Sequence, residues 1–284
     1  MKKLKQSRIA SFVAIFVVYV VAVAIGVLSY DMLDAEWWLK LLFADVIATV
    51  VTFVFSLIFN NASVYDPYWS VQPMVIVTAF ALGKKLSLGA ILVVIAIFLW
   101  GIRLTLNWAY TFGGLNYQDW RYTMLKEKTK AFYPLINFVG IHMVPTLVVY
   151  FCVLPAVALI KQNPTFNPLC LVGFVVCVVA VVLQLVADWQ MQKFRKSKVG
   201  GFIRVGLWKY SRHPNYLGEI LMWWGVGIIF VVHCPNQWYL LLGALLNTLL
   251  FAFVSIPMAE QKQAKKPNFV EYKNQTRLLL PIKK

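Results

Sequence analysis

The sequence predicts an all-α, polytopic integral membrane helix bundle of seven to eight spans. Its 284 residues are 61% hydrophobic and only 13% charged, whereas soluble domains carry about 45–50% apolar and about 25% charged residues. Several apolar runs are about 20 residues long, which is the length that crosses a bilayer as a helix. Backbone polar groups in lipid must be satisfied within the segment, and a barrel would show shorter alternating strands, so these runs predict helices.

Eight apolar runs account for the predicted spans, and two of them are short. The first follows the basic sequence MKKLKQSR, but it is too long for the apolar part of a signal peptide, and no small-residue cleavage site precedes Tyr30. It is therefore predicted to be a retained span. The eight runs cover residues 9–29, 38–59, 71–82, 86–110, 134–160, 168–187, 217–232 and 237–257.

Basic residues set the predicted orientation, because Lys and Arg favour cytoplasmic loops. With the N-terminus inside, 22 of the 27 Lys and Arg residues fall in cytoplasmic segments and three fall on the opposite side. The other two, Lys40 and Arg103, lie within spans. This asymmetry predicts that both termini are cytoplasmic.

The net charge of +16 does not indicate nucleic-acid binding, which requires a basic folded face with a recognisable motif. Here the charges lie in loops next to the membrane, where anionic lipid headgroups attract them. The cysteines have no metal-ligand spacing and, like His142 in its apolar stretch, are predicted to be core residues, so no metal site is expected. The cysteines are Cys152, Cys170, Cys177 and Cys234.

A polar stripe runs out of the sixth predicted span. Its four residues are spaced by four, four and three positions, so they share one face of a helix. Polar side chains at the end of a membrane helix often snorkel to the surface or face a neighbouring helix. An amide, an acid and a guanidinium on one face are better explained by a polar ligand. The four residues are Gln184, Asp188, Gln192 and Arg195.

A loop rich in basic residues and glycine follows this stripe. Positive-inside topology explains the charges but not Gly200, Gly201 and Gly206, which allow a ligand to approach the backbone closely. Together they suggest a phosphate-binding loop of a non-Rossmann type, because the order is not G-x-G-x-x-G and no Walker Lys-Ser/Thr pair follows. The basic residues are Lys193, Arg195, Lys196, Lys198, Arg204, Lys209 and Arg212.

The segment SRHPNYLGE is predicted to begin a helix, because Pro214 suits the first turn and Ser211 or His213 can cap it. Free backbone N–H groups at such a start, with Arg212 beside them, form the kind of site that holds a phosphate.

Glu219 enters the predicted seventh span one helical turn after Asn215. A carboxylate in a span is costly unless it has a partner. Two interpretations are open: Glu219 belongs to a polar ligand site, or it forms an ion pair with Arg212 or Lys209.

The N-terminal half holds two further polar clusters. Asp66 follows the second span in NNASVYDPYWS, where Asp-Pro is also an ordinary turn signal. Arg103, Asn107 and Tyr110 share one face of the fourth span. An Arg within a span needs a partner, which could be a ligand, Asp45 or Asp66.

These motifs resemble those of bacterial inner-membrane proteins related to steroid 5α-reductase, within the wider group that includes sterol C=C reductases. The resemblance extends over most of the chain and is most specific in GLWKYSRHPNYLGEILMWWG, with support from YDPYWS, RLTLNW, DWRY, ADWQMQKFR and the ending SIPMAEQKQAKKPNFVEYKNQTRLLLP. It implies a single membrane domain, 1–284, with the substrate side in the spans of 1–133 and cytoplasmic NADPH-binding loops among the spans of 134–284.

The resemblance also implies site residues. Asp188, Arg195, Asn215 and Glu219 match cofactor-contacting positions of the steroid reductases, and Asp66 stands roughly where these enzymes recognise the substrate carbonyl. The sequence departs from the family at Gln184, at residues 212–214 and just before Glu260, so cofactor binding transfers better than substrate identity. The expected cofactor-binding residues are Gln184, Asp188, Gln192, Arg195, Lys198, Arg204, Tyr210, Arg212, His213, Asn215, Tyr216, Glu219 and Glu260; the expected catalytic residues are Asp66, Tyr65 and Tyr110; and the expected substrate residues are Asn60, Arg103 and Asn107.

The implied activity is NADPH-dependent reduction of a C=C bond conjugated to a carbonyl, in a hydrophobic steroid-like, isoprenoid or other lipid substrate that enters from the bilayer. Hydride goes to the β-carbon, and a protonated or hydrogen-bonding group stabilises the developing enolate. Asp66 or Glu219 is expected to be that group, with Tyr65 and Tyr110 as alternatives.

Two other classes of function remain open. Isoprenylcysteine carboxyl methyltransferases and phospholipid methyltransferases also resemble the chain at RHPNYLG and bind S-adenosylmethionine there, but they show a paired Glu-Glu where this chain has Glu260 beside Gln261. A transporter or lipid-binding scaffold would not need the dense cytoplasmic polar cluster and would show repeated broken helices. The sequence leaves the oligomeric state open.

Overall fold

The structure is a computed structural model that describes residues 2–198 and 200–283, with side chains from Leu4 onward. Helices account for most of these residues, and none of them forms a strand. The α-helices are α1 Lys2–Gln6, α2 Arg8–Tyr30, α3 Trp37–Ile58, α4 Tyr68–Ala81, α5 Leu88–Thr111, α6 Trp120–Thr129, α7 Tyr133–Ile136, α8 Val144–Gln162, α9 Cys170–Lys196, α10 Pro214–Val231, α11 Leu242–Leu250, α12 Ile256–Gln263 and α13 Phe269–Gln275.

Two helical paths continue through π-helical turns. One turn, Asn137–Met143, leads into α8, and the other, Phe251–Ser255, joins α11 to α12. A proline follows each turn by two positions, at Pro145 and at Pro257. Proline has no N–H and clashes with the carbonyl four residues earlier, so the helix widens at these points instead of ending.

Six helical segments are long and apolar enough to cross a membrane, which confirms the predicted class of polytopic helical membrane protein. All eight predicted runs are helical, but α4 has 14 residues and α10 has 18, and neither is among the six. The count of seven to eight spans therefore stays a prediction. The six segments are Arg8–Tyr30, Trp37–Ile58, Leu88–Thr111, Trp120–Gln162, Cys170–Lys196 and Pro235–Gln263.

The environment of these helices is a lipid bilayer, because large apolar side chains face outward. In α2 alone, Ile9, Phe16 and Leu28 are 78%, 69% and 75% exposed. A soluble protein would rarely expose so much apolar surface on one helix to water.

The chain packs into two compact units. The first comprises residues 1–79 and 104–154, and the second comprises residues 80–103 and 155–284. A single membrane domain divided at residue 133 stays a prediction. The first unit has an apolar core that includes Ile15, Val18 and Leu115.

In the second unit, α9 and α10 pack with their backbones in close contact. A Cβ atom added at Gly225 would lie 2.5 Å from Sγ of Cys177, and one added at Gly173 would lie 2.7 Å from the carbonyl oxygen of Gly225. A Cβ atom at Gly218 would lie 2.4 Å from Cγ of Gln184. Small residues permit this approach between membrane helices, and the approach brings the polar residues of α9 against the start of α10.

Candidate functional site

Arg103 of α5 lies at the centre of a buried charged cluster in the second unit. Its Nη1 donates to Oδ2 of Asp188 in α9 over 2.8 Å, and its Nη2 lies 3.9 Å from Oε2 of Glu219 in α10. The three side chains are 7%, 16% and 5% exposed. Buried charges in a helical membrane protein need partners, and this network supplies them from three helices. Glu219 therefore pairs with Arg103, and the expected alternatives Arg212 and Lys209 were wrong.

Glu219 also accepts hydrogen bonds from three neutral donors. Nε1 of Trp100 lies 3.1 and 2.9 Å from the two carboxylate oxygens, Nε1 of Trp223 donates over 3.3 Å, and Nε2 of Gln184 donates to Oε2 over 3.1 Å. The sequence analysis missed both indoles. The available signal was spacing, because Trp100 lies three residues before Arg103 and Trp223 lies four residues after Glu219.

Two buried polar atoms beside Glu219 have no hydrogen-bond partner in the described part of the chain. They are Nε of Arg103, which is a donor, and Oε1 of Gln184, which is an acceptor. Both side chains also approach Oε2 of Glu219. Because buried polar groups are nearly always paired, these atoms indicate a missing polar partner. One donor with one acceptor matches a group that offers both, such as a carboxamide.

A second ionic cluster surrounds Glu260 of α12. Nε of Arg212 donates to its Oε1 over 2.6 Å, Nε2 of His213 lies 3.4 Å from the same oxygen, and Nζ of Lys273 lies 3.3 Å from Oε2. Nη1 of Arg212 also donates to the carbonyl oxygens of Lys273, over 3.2 Å, and of Thr276. The charge of Arg212 is therefore balanced within the protein.

The other expected cofactor residues lie near these two clusters, in α9, the following loop and the start of α10. The four polar residues predicted to form a stripe are all in α9, which continues to Lys196. Tyr216 stacks on His213 with ring centroids 5.2 Å apart. Arg195, Lys198, Arg204 and Tyr210 are exposed, and Gln192, Asn215 and Tyr216 are half-buried.

In the first unit, Tyr65 and Asp66 lie in one tight turn. Tyr65 is 2% exposed, and its hydroxyl oxygen lies 2.8 Å from Oγ1 of Thr146. Oδ1 of Asp66 accepts from the hydroxyl of Tyr122 over 2.8 Å. Burial raises the pKa of Asp66 to about 6, although the guanidinium of Arg121 opposes the shift. Asp66 therefore holds a proton at a higher pH than an exposed carboxyl group does.

The remaining expected catalytic and substrate residues of the first unit are more open. Asn60 is exposed, and its Oδ1 accepts from Nζ of Lys126 over 3.0 Å. Tyr110 is 51% exposed near the end of α5, and Asn107 is half-buried one turn earlier. Within residues 2–198 and 200–283, no three His, Cys, Asp or Glu side chains come together as a metal site requires.

The fold and the Arg103 cluster define a polytopic helical membrane protein with a buried network of one guanidinium and two carboxylates. The chain belongs to the protein family of unknown function DUF1295, whose model matches residues 52–276, and this family includes steroid 5α-reductase-like proteins. An uncharacterized protein of Schizosaccharomyces pombe is 28% identical over 197 residues, which are 58% of this chain. The match spans 56% of that relative. No solved structure matches the chain.

Proposed function

We propose that the protein is an NADPH-dependent oxidoreductase that reduces a C=C bond conjugated to a carbonyl in a hydrophobic, steroid-like or other isoprenoid or lipid substrate. The observation that carries this proposal is that two atoms beside Glu219, Nε of Arg103 and Oε1 of Gln184, have no hydrogen-bond partner among the described residues. The carboxamide of nicotinamide offers a carbonyl oxygen to the first and an N–H to the second. The steroid 5α-reductase-like members of the family support the same class.

Two groups of residues in the second unit bind the cofactor in this proposal. Arg103, Gln184 and Glu219 hold the carboxamide, and exposed cations such as Arg195 and Lys198 neutralise the phosphates. When bound there, NADPH supplies the hydride. Burial of the Arg103 cluster keeps water from the polar groups and strengthens their interactions.

Asp66 and Tyr65 are the hydrogen-bond donors that we propose for the carbonyl group of the substrate. A proton on Asp66 makes its carboxyl group a hydrogen-bond donor, and the raised pKa of about 6 keeps part of the population protonated in weakly acidic solution. A donor at the carbonyl oxygen stabilises the negative charge that develops when the alkene is reduced. The buried Tyr65 hydroxyl, hydrogen-bonded to Thr146, is the alternative donor.

Direct titration of the detergent-purified protein with NADPH, NADH and S-adenosylmethionine tests the cofactor. We expect NADPH to bind at least roughly tenfold more tightly than NADH, or about 1.4 kcal/mol, because its additional phosphate meets exposed Arg and Lys side chains. Equal affinities for the two nucleotides would remove the assignment of a phosphate-binding loop. Binding of S-adenosylmethionine without NADPH would overturn the reductase.

One observation favours the alternative, an S-adenosylmethionine-dependent methyltransferase of the isoprenylcysteine carboxyl or phospholipid type. The Arg103 cluster contains two carboxylates, Asp188 and Glu219, against one guanidinium. A sulfonium cation would balance the second carboxylate. The same titration distinguishes the two functions.

We also propose that the protein lies in a bacterial inner membrane with both termini in the cytoplasm. The orientation is supported by the concentration of 22 of 27 Lys and Arg residues in alternate segments of the chain. A tag placed after Lys284 should react with a membrane-impermeant reagent only after the cells are opened. Labelling of the tag in intact cells would reverse the orientation.

A further inference from the structure

The chain segment after α12 is bound to the basic loop, which we define as residues 200–213. Nζ of Lys266 donates to the carbonyl oxygen of Gly201 over 2.6 Å, and Nη2 of Arg204 donates to the carbonyl oxygen of Asn268 over 2.9 Å. These bonds use backbone oxygens that a loop would otherwise expose to water. They attach the first part of the loop to the residues that precede α13.

Aromatic contacts attach the middle of the loop to α13. The ring of Phe202 lies 5.5 Å from that of Phe269 and 4.9 Å from that of Tyr272, centroid to centroid. The guanidinium of Arg204 lies 4.7 Å above the Phe202 ring. Phe269 and Tyr272 are only 5% and 6% exposed, and the hydroxyl of Tyr272 donates to the carbonyl oxygen of Trp208. Short α13 is therefore held in place by the loop, and the loop by α13.

Backbone pairing attaches the end of the loop, just before α10. The N–H of Arg212 donates to the carbonyl oxygen of Arg277 over 2.9 Å, within an isolated parallel bridge between Ser211 and Arg277. Oγ1 of Thr276 donates to the carbonyl oxygen of Lys209 over 3.2 Å. The Glu260 cluster lies at this same end, because Arg212 contacts Glu260, the carbonyl oxygen of Lys273 in α13 and that of Thr276 just after it.

We propose that residues 266–277, which we call the C-terminal clasp, together with Glu260 form a positioning device for the basic loop and so for its exposed cations Arg204 and Lys209, which bind the anion together with Arg195 and Lys198. In this arrangement, Glu260 and Arg212 act through the clasp and do not themselves contact the ligand. The identity of the ligand as NADPH rests on the proposed function, whereas the action of the clasp on the loop does not.

The loop needs such a device, because its own structure is weak. Its only regular element is the 3-10 turn Gly206–Lys209, and Gly201 and Gly206 both have positive φ angles, 87° and 61°. Glycine and the absence of regular structure raise the conformational entropy that ordering must overcome. Cations on either side of the loop also repel one another: burial and the nearby charge of Arg195 lower the pKa of Lys266. A loop ordered in advance binds its ligand more tightly than one that must order on binding.

Two matched variants test the clasp, Glu260→Gln and Glu271→Gln. Each removes one carboxylate from the same end of the chain, but Glu271 is exposed on α13 and its Oε1 accepts only from Gln275 among the hydrogen bonds described for its side chain. We expect amide hydrogen exchange in residues 200–213 to accelerate at least tenfold in Glu260→Gln and to stay unchanged in Glu271→Gln. Glu260→Asp, which keeps the charge, should recover part of the protection.

The affinity for NADPH is a second measurement, and the direction in which the Kd changes distinguishes the two explanations. Removing a negative charge should by itself tighten binding of an anion, and it should do so about equally in both variants. The clasp predicts instead that Glu260→Gln raises the Kd at least tenfold while Glu271→Gln does not. Tighter binding by both variants, or faster exchange of the loop with an unchanged Kd, would overturn the positioning role.

A third variant, Tyr272→Phe, covers the case in which Glu260→Gln does not fold. It keeps the ring and removes only the hydroxyl that donates to Trp208, so we expect a smaller increase in exchange, confined to residues 200–213. If hydrogen exchange changes in neither Tyr272→Phe nor Glu260→Gln, the clasp is refuted. If the unaltered protein does not bind NADPH, the proposed function fails, and the clasp is decided by exchange alone.

Discussion

Replacing Arg103 with Met should lower the free energy of unfolding by about 3–5 kcal/mol, which is the usual cost of removing one partner from a buried ion pair. Arg103 lies 2.8 Å from Asp188 and 3.9 Å from Glu219, and both carboxylates are largely buried. Met fills a similar volume but leaves both carboxylates without their cation. Denaturant unfolding of the purified protein in detergent, followed by tryptophan fluorescence, measures the difference.

Lys40→Met is the matched control for this prediction. Lys40 also forms a short ion pair, 2.6 Å from Asp31, but the Asp31 side chain is 82% exposed. Exposed ion pairs contribute little to stability, because water and salt screen them, so this variant should unfold almost like the unaltered protein. If Arg103→Met lowers the free energy of unfolding as little as Lys40→Met does, the buried network does not exist as described. In the double variant Arg103→Met and Asp188→Leu, the loss should be smaller than the sum of the two single losses.

Glu219→Gln should lower both the free energy of unfolding, by about 1–3 kcal/mol, and the affinity for NADPH, by about 1.5–3 kcal/mol. The amide replaces one acceptor oxygen with an NH2 group. At the position of Oε1 this group faces the donors Trp100 Nε1 and Trp223 Nε1, and at the position of Oε2 it faces Trp100 Nε1 and Gln184 Nε2. Two donors that face each other in a buried site leave both groups unsatisfied. Unfolding and NADPH titration on the same purified variant give both numbers.

The two readouts separate a ligand site from a structural ion pair. A destabilised variant that still binds NADPH normally would mean that Glu219 serves only the fold. A stable variant would mean that the indole hydrogen bonds are absent. The Trp223→Phe background provides a control, because it removes one donor but keeps an aromatic ring. Part of the cost of Glu219→Gln should disappear in that background.

The class of protein follows from properties that each short stretch of chain carries by itself. Runs of about 20 apolar residues and the asymmetry of 22 against three basic residues identify a polytopic helical membrane protein without reference to any contact. The same holds for the polar stripe of α9, because helical spacing alone puts Gln184 and Asp188 on one face. The early start of the long helical path at Trp120 was not predicted, because α6 is polar and carries no apolar signal.

Pairing between distant residues was decided only by the tertiary structure. Arg103 and Asp188 are separated by 85 positions and Trp100 and Glu219 by 119, and no local pattern relates such positions. Gly218, Gly225 and Gly173 let α9 and α10 approach, which then determines which polar groups meet. Likewise, the sequence predicted a basic, glycine-rich loop between Lys193 and Arg212, but it did not indicate that residues 266–277 contact it; α9 in fact continues to Lys196. Composition and periodicity indicate which face of each helix is apolar and which is polar. The contact partners of a residue depend instead on how the helices pack against one another.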